Sequence, residues 1–332
     1  MSTQNPSPSP TKTIIAVVIP AYRVQDEIVK VLAGIPKWVK YVIVVDDARP
    51  EKTAEILKKI KDNRLIVIHH KANQGVAGAV LSGYAKAFSL GADIIVKIDG
   101  DDQMDPAYLP FLLDPVLQKK ADYAKGNRFL HTTALQRMPF LRRLGNVGLT
   151  FYTKIASGYW DFFDPTNGYT AIDRNALTLL STADISRDYF FESNMLLALR
   201  HINAVIRDVP IPSRYGDEKS SLSIKRVLFS FPYRLIKGFF KRISREHFWF
   251  DFNAGSLLLL FGLILFIFGF IWGIAKWYQS VATGVAATTG TVLIVVLPII
   301  VGVQFLIQIL VLDISRIPRD PLSQIHKTPL LV

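Results

Sequence analysis

Two runs near the C-terminus, Ser256 to Ala275 and Thr291 to Leu312, contain no charged residue. Each matches the roughly 20 helical residues that a hydrocarbon core takes. Glycines and Pro298 within them are tolerated in membrane helices. Two uncharged stretches of this length are poor candidates for the core of one small water-soluble domain, so the sequence predicts two membrane spans. Basic residues flank the pair: Arg234, Lys237, Lys241, Arg242 and Arg245 before it, Arg316, Arg319 and Lys327 after it, and only Lys276 in the connection. The bias of Lys and Arg toward the cytoplasm places both flanks, both termini and everything N-terminal to the spans on that side.

Just before the spans, Leu228, Phe231, Leu235, Phe239 and Ile243 recur at helical spacing, with Lys237, Lys241 and Arg245 on other faces. A basic amphipathic helix in this position predicts an element lying in the membrane interface. Pro232 is expected to divide it into two helices. Phe248, Trp249 and Phe250 would mark the headgroup level.

The front of the chain reads differently. Residues 1–12, with Pro6, Pro8 and Pro10 among Ser and Thr, read as a disordered tail without a signal-peptide core. Strands are predicted at Thr13 to Pro20, Tyr41 to Val45, Leu65 to Ile68 and Ile94 to Ile98. Helices are predicted at Asp26 to Gly34, Thr53 to Lys61 and Ala77 to Leu90. This alternation specifies an α/β fold with a mostly parallel, Rossmann-like sheet. Ligands of such sheets bind beyond the carboxyl ends of the strands, where this chain places Pro20-Ala21-Tyr22, Asp46-Asp47 and Asp99-Gly100-Asp101-Asp102-Gln103. Clustered carboxylates repel one another, and a divalent cation relieves that repulsion. Oxygen ligands favour Mg²⁺ or Mn²⁺.

The chain has no cysteine, which excludes disulfides, thiolate metal sites and a cysteine nucleophile. Its net charge of +12 implies an anionic partner. No phosphate-loop or dinucleotide fingerprint occurs, which leaves an ATPase or a dehydrogenase without support.

Taken with Glu27, Asn73-Gln74-Gly75, Gly126-Asn127-Arg128, Asp164-Pro165-Thr166-Asn167-Gly168-Tyr169, Glu192, Val209-Pro210-Ile211, Arg214 and Ser220, these motifs resemble the inverting family 2 (GT-A) glycosyltransferases. More narrowly, they resemble the polyprenyl-phosphate glycosyltransferases, such as dolichyl-phosphate mannose synthase and the bacterial undecaprenyl-phosphate glucosyltransferases. The resemblance implies that Pro20, Tyr22, Glu27, Asp46 and Asp99 bind the nucleotide, with Asp46 able to accept from a uracil or a guanine imide. It implies a metal at Asp99, Asp101 and Gln103, with Asp101 the direct ligand, while Asp102 is merely solvated. A lipid monophosphate is largely dianionic near neutral pH, its second pKa lying near 6 as in phosphorylated side chains. Arginines to hold it therefore matter more than a base, and Arg128, Arg142, Arg143 and Arg214 are the candidates. Asp164 is expected to act as base or positioning group, Asn167 and Gly168 to line the sugar site, and Glu192 to orient an arginine or the sugar.

The implied activity is transfer of a sugar to polyprenyl phosphate with inversion at the cytoplasmic membrane face. UDP-glucose is the favoured donor, ahead of UDP-aminosugars and GDP-mannose. The implied organisation is a tail (1–12), a GT-A domain (13–221), interfacial helices (222–252), two spans (253–313) and a cytoplasmic tail (314–332), assembled as a homo-oligomer. A non-catalytic membrane protein binding nucleotide or nucleic acid is the alternative of another class. Against a nucleic-acid partner stand the acids gathered at one sheet edge, including Asp46, Asp47, Asp99, Asp101 and Asp102.

Overall fold

The computed structural model describes residues 13–22, 24, 27–48, 50–130, 140–180, 185–186, 188, 190–212, 224–249 and 251–325, with backbone alone at 50–54, 130, 140–143, 224–229 and 325. Two compact units emerge, one from the described parts of 1–154, 161–232 and 318–332, the other from 155–160 and 233–317.

The first unit is built on seven strands in the order β3-β2-β1-β4-β6-β5-β7. Strands β1 (Ile15–Ala21), β2 (Tyr41–Asp46), β3 (Leu65–His69) and β4 (Ile94–Lys97) are mutually parallel. They alternate with α1 (Ile28–Gly34), α2 (Pro50–Lys59) and α3 (Gly75–Ser89). Every residue of β1 and β4 is buried, as expected of β-branched runs covered on both faces of a parallel sheet. The predicted strands and helices are present, with boundaries shifted by no more than three residues, the largest shift being the start of α2 at the proline that suits a first helical turn.

Beyond β4 the chain departs from simple alternation. Helix α4 (Leu109–Leu117) leads to β5 (Tyr123–Asn127). Helix α5 (Phe140–Ser157) leads to β6 (Thr170–Asp173), which lies antiparallel between β4 and β5. Helices α6 (Arg174–Leu179) and α7 (Phe191–His201) precede β7 (Ile206–Pro210), which pairs parallel to β5. Because β6 runs backwards, its first residue, Thr170, pairs with Lys97 and Lys125 on its two neighbours. The turn that leads into β6 is therefore delivered to the carboxyl edge of β4. Near the C-terminus, α11 (Leu322–Ile325) is fixed to the same unit: the Leu322 N–H donates to Asp122 Oδ1 at 2.9 Å.

Helix α8 (Ile224–Ser244) runs without a break through Pro232, contrary to the two helices expected. Phe231 and Leu235, flanking the proline, are both buried, and this packing holds the helix where a backbone hydrogen bond is lost. The stripe expected to face lipid turns inward at Phe231, Leu235 and Ile243, while Tyr233, Ile236 and Phe240 are exposed. Spacing alone locates an apolar face but does not say what covers it.

In the second unit, α9 (Ala254–Thr283) and α10 (Thr289–Ser315) form a hairpin. Both helices are long and apolar enough to cross a membrane, and only 11% of the most apolar window of each is buried within the protein. Small residues bring the two backbones together: a Cβ on Gly302 would lie 2.7 Å from the Phe266 nitrogen. This is the close approach that glycines permit between membrane helices. Arg242, counted above among the flanking cations, is only 1% exposed at its side chain and forks onto Asp313 at 2.6 and 3.1 Å. It also donates to Glu246 and to the carbonyls of Ile155 and Ala156, and the Trp160 indole N–H donates to Asp313.

Candidate active site

The carboxyl ends of β1 and β2 lie side by side, with Pro20 paired to Val45 and Ala21 to Asp46. Pro20 is buried, Tyr22 is exposed, and Glu27 immediately precedes α1. Asp46 and Asp47 are both nearly inaccessible but do different things. Asp46 Oδ2 meets the exposed His69 imidazole at 3.2 Å. Asp47 Oδ1 accepts from the Gln74 N–H and pairs with His70, both at 2.8 Å, and the far side of that imidazole reaches Ser82. Asp47 thus clasps the 73–75 turn to the sheet, while Asp46 ends β2 opposite Ala21.

At the end of β4 the acidic turn has an internal cation that the motif did not reveal. Lys97 is 1% exposed, and its ammonium lies 2.8 Å from Asp99 Oδ1 and 3.1 Å from Glu192 Oε1. Burial works to lower the Lys97 pKa, but Asp99 and Glu192 outweigh it and hold the ammonium charged. Glu192, expected to orient an arginine or the sugar, grips this lysine from the first turn of α7. Gly168 packs against the same group: a Cβ there would sit 2.2 Å from Lys97 Nζ and 2.6 Å from Asp99 Oδ2. Asp101 Oδ1 accepts from the Gln103 N–H at 3.2 Å. Asp102, read above as merely solvated, has φ +58°, a left-handed conformation that makes it part of the turn's geometry.

Across β6, Arg128 and Asp164 form a two-pronged pair, Nε to Oδ2 and Nη2 to Oδ1, each at 2.7 Å. Asp164 is fully buried and also left-handed, with φ +58°. Burial would raise its pKa, but the Arg128 charge and hydrogen bonds prevail and hold the carboxyl below its usual range. An acid so held is a weak proton acceptor, which favours positioning over the base role. Asn167 turns inward: its Oδ1 accepts from the Tyr169 N–H and its carbonyl from Lys125 Nζ. Arg142 and Arg143 lie in α5, where only the backbone is described, and Arg214 lies outside the described residues.

Two further polar residues, Lys125 and Asp208, were missed in the sequence. Burial pushes Lys125 down to about 8. Asp208 is pushed up to about 6, chiefly by burial, against a hydrogen bond from the Phe163 N–H. Its Oδ2 also accepts from Asn127 Nδ2 at 2.6 Å, while Oδ1 is buried with no partner among the described residues. The available signal was a charge or amide inside a short apolar strand, as in Ile94-Ile95-Val96-Lys97.

The fold and this edge define a class, the GT-A glycosyltransferases. Residues 16–180 match the sequence pattern of "Glycosyl transferase family 2". The chain is 29% identical over 239 residues, 67% of its length and 95% of the relative's, to the UDP-N-acetylglucosamine–dolichyl-phosphate N-acetylglucosaminyltransferase of Methanococcus voltae. It is 32% identical to an uncharacterized protein of Methanocaldococcus jannaschii, over 63% of this chain and 85% of that one. Similarity to the undecaprenyl-phosphate mannosyltransferase of Micrococcus luteus is 29%, over 51% of this chain and 70% of the relative. Glucosyl-3-phosphoglycerate synthase from Mycobacterium tuberculosis, solved with Mn²⁺, UDP-glucose and phosphoglyceric acid, shares the fold at TM-score 0.51 and 18% identity, over 70% of this chain and 80% of that one. The chain belongs to glycosyl transferase family 2 and is a glycosyltransferase whose relatives include polyprenyl-phosphate sugar transferases.

Proposed function

We propose that this protein transfers a sugar from a nucleotide-sugar donor to polyprenyl phosphate with inversion, as a membrane protein with its catalytic unit on the cytoplasmic side. One observation carries the reading. Antiparallel β6 brings the Asp164–Gly168 turn to the edge that holds Asp46 and Asp99, so donor-binding acids and a sugar-side turn converge. UDP-glucose is the first donor to test. UDP-N-acetylglucosamine is the second, on the similarity to the Methanococcus voltae enzyme, with other UDP-aminosugars and GDP-mannose after it.

Asp46, with Pro20 and Tyr22, takes the base, and Asp46 would accept its imide proton. Asp99 and Asp101 with the Gln103 amide supply hard oxygens suited to Mg²⁺ or Mn²⁺. Among the described residues, no three His, Cys, Asp or Glu side chains gather closely enough to hold a metal by themselves, so these ligands fit an ion whose shell the donor diphosphate completes. Such an ion supplies Lewis-acid stabilisation of the leaving diphosphate. Gly168 lets the sugar-side turn pack directly onto the Lys97–Asp99 pair, while Asp164 holds the Arg128 guanidinium rigid. Arg142, Arg143 and Arg214, with Arg128, supply the positive charge for the lipid phosphate, which attacks the anomeric carbon without needing its proton removed. The two apolar helices span the membrane, with both termini cytoplasmic, and the protein assembles as a homo-oligomer.

The test incubates the purified protein with polyprenyl phosphate, Mg²⁺ or Mn²⁺ and a panel of labelled nucleotide sugars. One donor should give a mild-acid-labile lipid-linked sugar. Hydrolysis alone, or transfer only to a sugar hydroxyl, would overturn the acceptor assignment. Cross-linking in membranes that yields only monomer would remove the oligomer.

A further inference from the structure

A lysine ammonium buried inside a sheet is costly unless it is paired and hydrogen-bonded. Lys97 meets that condition in an unusual place, two residues before the acidic turn. It contacts Asp99 at 2.8 Å and Glu192 at 3.1 Å, while the Gly168 backbone closes over it. Two carboxylates, from Asp99 and Glu192, therefore share one internal cation beside the acidic turn. Without that cation the two acids would draw a divalent ion, because hard cations gain affinity with each carboxylate they collect. With Lys97 in place, much of that charge is already neutralised.

We propose that Lys97 is a positioning residue that makes divalent-metal binding at this edge conditional on the nucleotide. The ammonium occupies Asp99 Oδ1 and Glu192, keeps Asp99 Oδ2 beside Gly168, and leaves an incomplete anionic shell that the diphosphate must finish. The metal then enters with its donor rather than resting in the site without it. This inference rests on the donor-site reading above and deepens it. It also explains why position 168 carries glycine, since a side chain there would strike the lysine or displace Asp99.

Mn²⁺ binding to the full-length protein in detergent, read from loss of the free-ion paramagnetic resonance signal with and without UDP, tests it independently of turnover. Wild-type protein should bind Mn²⁺ at least about 10-fold more tightly with UDP than without, a coupling of ordinary size between two ligands. Lys97→Met should tighten Mn²⁺ binding without UDP by at least about 10-fold, as two freed carboxylates join the shell. The double variant Lys97→Met/Glu192→Gln should return toward wild type. A Lys97→Met protein with both wild-type affinities, or a double variant as tight as the single, overturns the proposal.

Should Lys97→Met fail to fold, Glu192→Gln decides alone. Lys97 then pairs only with Asp99, and Mn²⁺ affinity in the presence of UDP should fall at least about 3-fold; an unchanged affinity overturns the proposal. Wild-type protein that takes up no Mn²⁺ even with UDP overturns the donor-site reading as well. Normal UDP-dependent uptake, insensitive to Lys97, overturns the role of Lys97 alone.

Discussion

Arg128 and Asp164 meet edge to edge, with both bonds at 2.7 Å, and the carboxylate partner is fully buried. A guanidinium held this way cannot swing freely toward a ligand, and an acid held this way does not readily take up a proton. Asp164→Asn removes one prong's charge and leaves Arg128 without its counter-ion. Breaking a buried pair from one side costs about 3 kcal/mol, here at the lower end because Arg128 is 22% exposed. Denaturant melts of the two proteins in the same detergent measure it. The lowered pKa also has a sign: stability from Asp164 is present above its unfolded value near 4 and is lost only below that. Titration of Asp164 should therefore produce no change in rate between pH 8 and 5.

Asp208 should behave in the opposite sense. Its pKa of about 6 lies above the unfolded value, so it favours the folded state most at pH below about 4, and that contribution disappears as pH rises through 6. Between pH 5 and 7 the wild type should lose about 1 kcal/mol through this group. Asp208→Asn should flatten that part of the stability curve, which thermal melts across the range would show. Parallel curves for the two proteins would contradict the assignment.

Gly168→Ala places a methyl group 2.2 Å from Lys97 Nζ and 2.6 Å from Asp99 Oδ2. The ion pair must shift, and displacement of a positioned group by about 1 Å costs on the order of 100-fold in rate. Nucleotide affinity should change much less, since the base pocket proposed above lies on β1 and β2. A substituted enzyme with wild-type turnover would show that the sugar does not depend on this corner.

Metal removal gives a simpler outcome. Chelation should abolish lipid-linked product, with Mn²⁺ or Mg²⁺ restoring it. Asp101→Asn should lower kcat/KM by about 100-fold, within the several kcal/mol that Lewis-acid stabilisation supplies. Product formation unchanged by Asp101→Asn would remove that residue from the metal assignment.

In the second unit, Asp313→Asn leaves the Arg242 guanidinium buried opposite a neutral amide. Destabilisation of about 3 kcal/mol is expected, whereas a paired apolar replacement, Arg242→Met with Asp313→Leu, should cost less than either single change. Thermal inactivation of the detergent-solubilised protein separates these cases.

Reading the chain residue by residue located strands β1 to β4 because their β-branched runs are uninterrupted, and α9 and α10 because more than 20 residues pass without a charge. It also placed Asp46, Asp99 and Asp101 at strand ends, since a parallel sheet sends its carboxyl edge to one side. It could not place β5, β6 and β7, whose four or five residues carry Lys125, Thr170 and Asp208 among apolar neighbours and show no clear period. The continuity of α8 through Pro232 was hidden for a related reason: local propensity disfavours it, and only the burial of Phe231 and Leu235 overrides that preference.

Sequence by itself therefore determined the elements with strong periodicity or unbroken hydrophobicity, and through them the sheet, the apolar hairpin and the acidic edge. Which charges cancel was decided only in three dimensions. Lys97 reaches Glu192 across 95 positions and Arg128 reaches Asp164 across 36. Pairings at such separations depend on the reversed direction of β6 and the docking of α7, and electrostatic energy follows distance in space rather than along the chain.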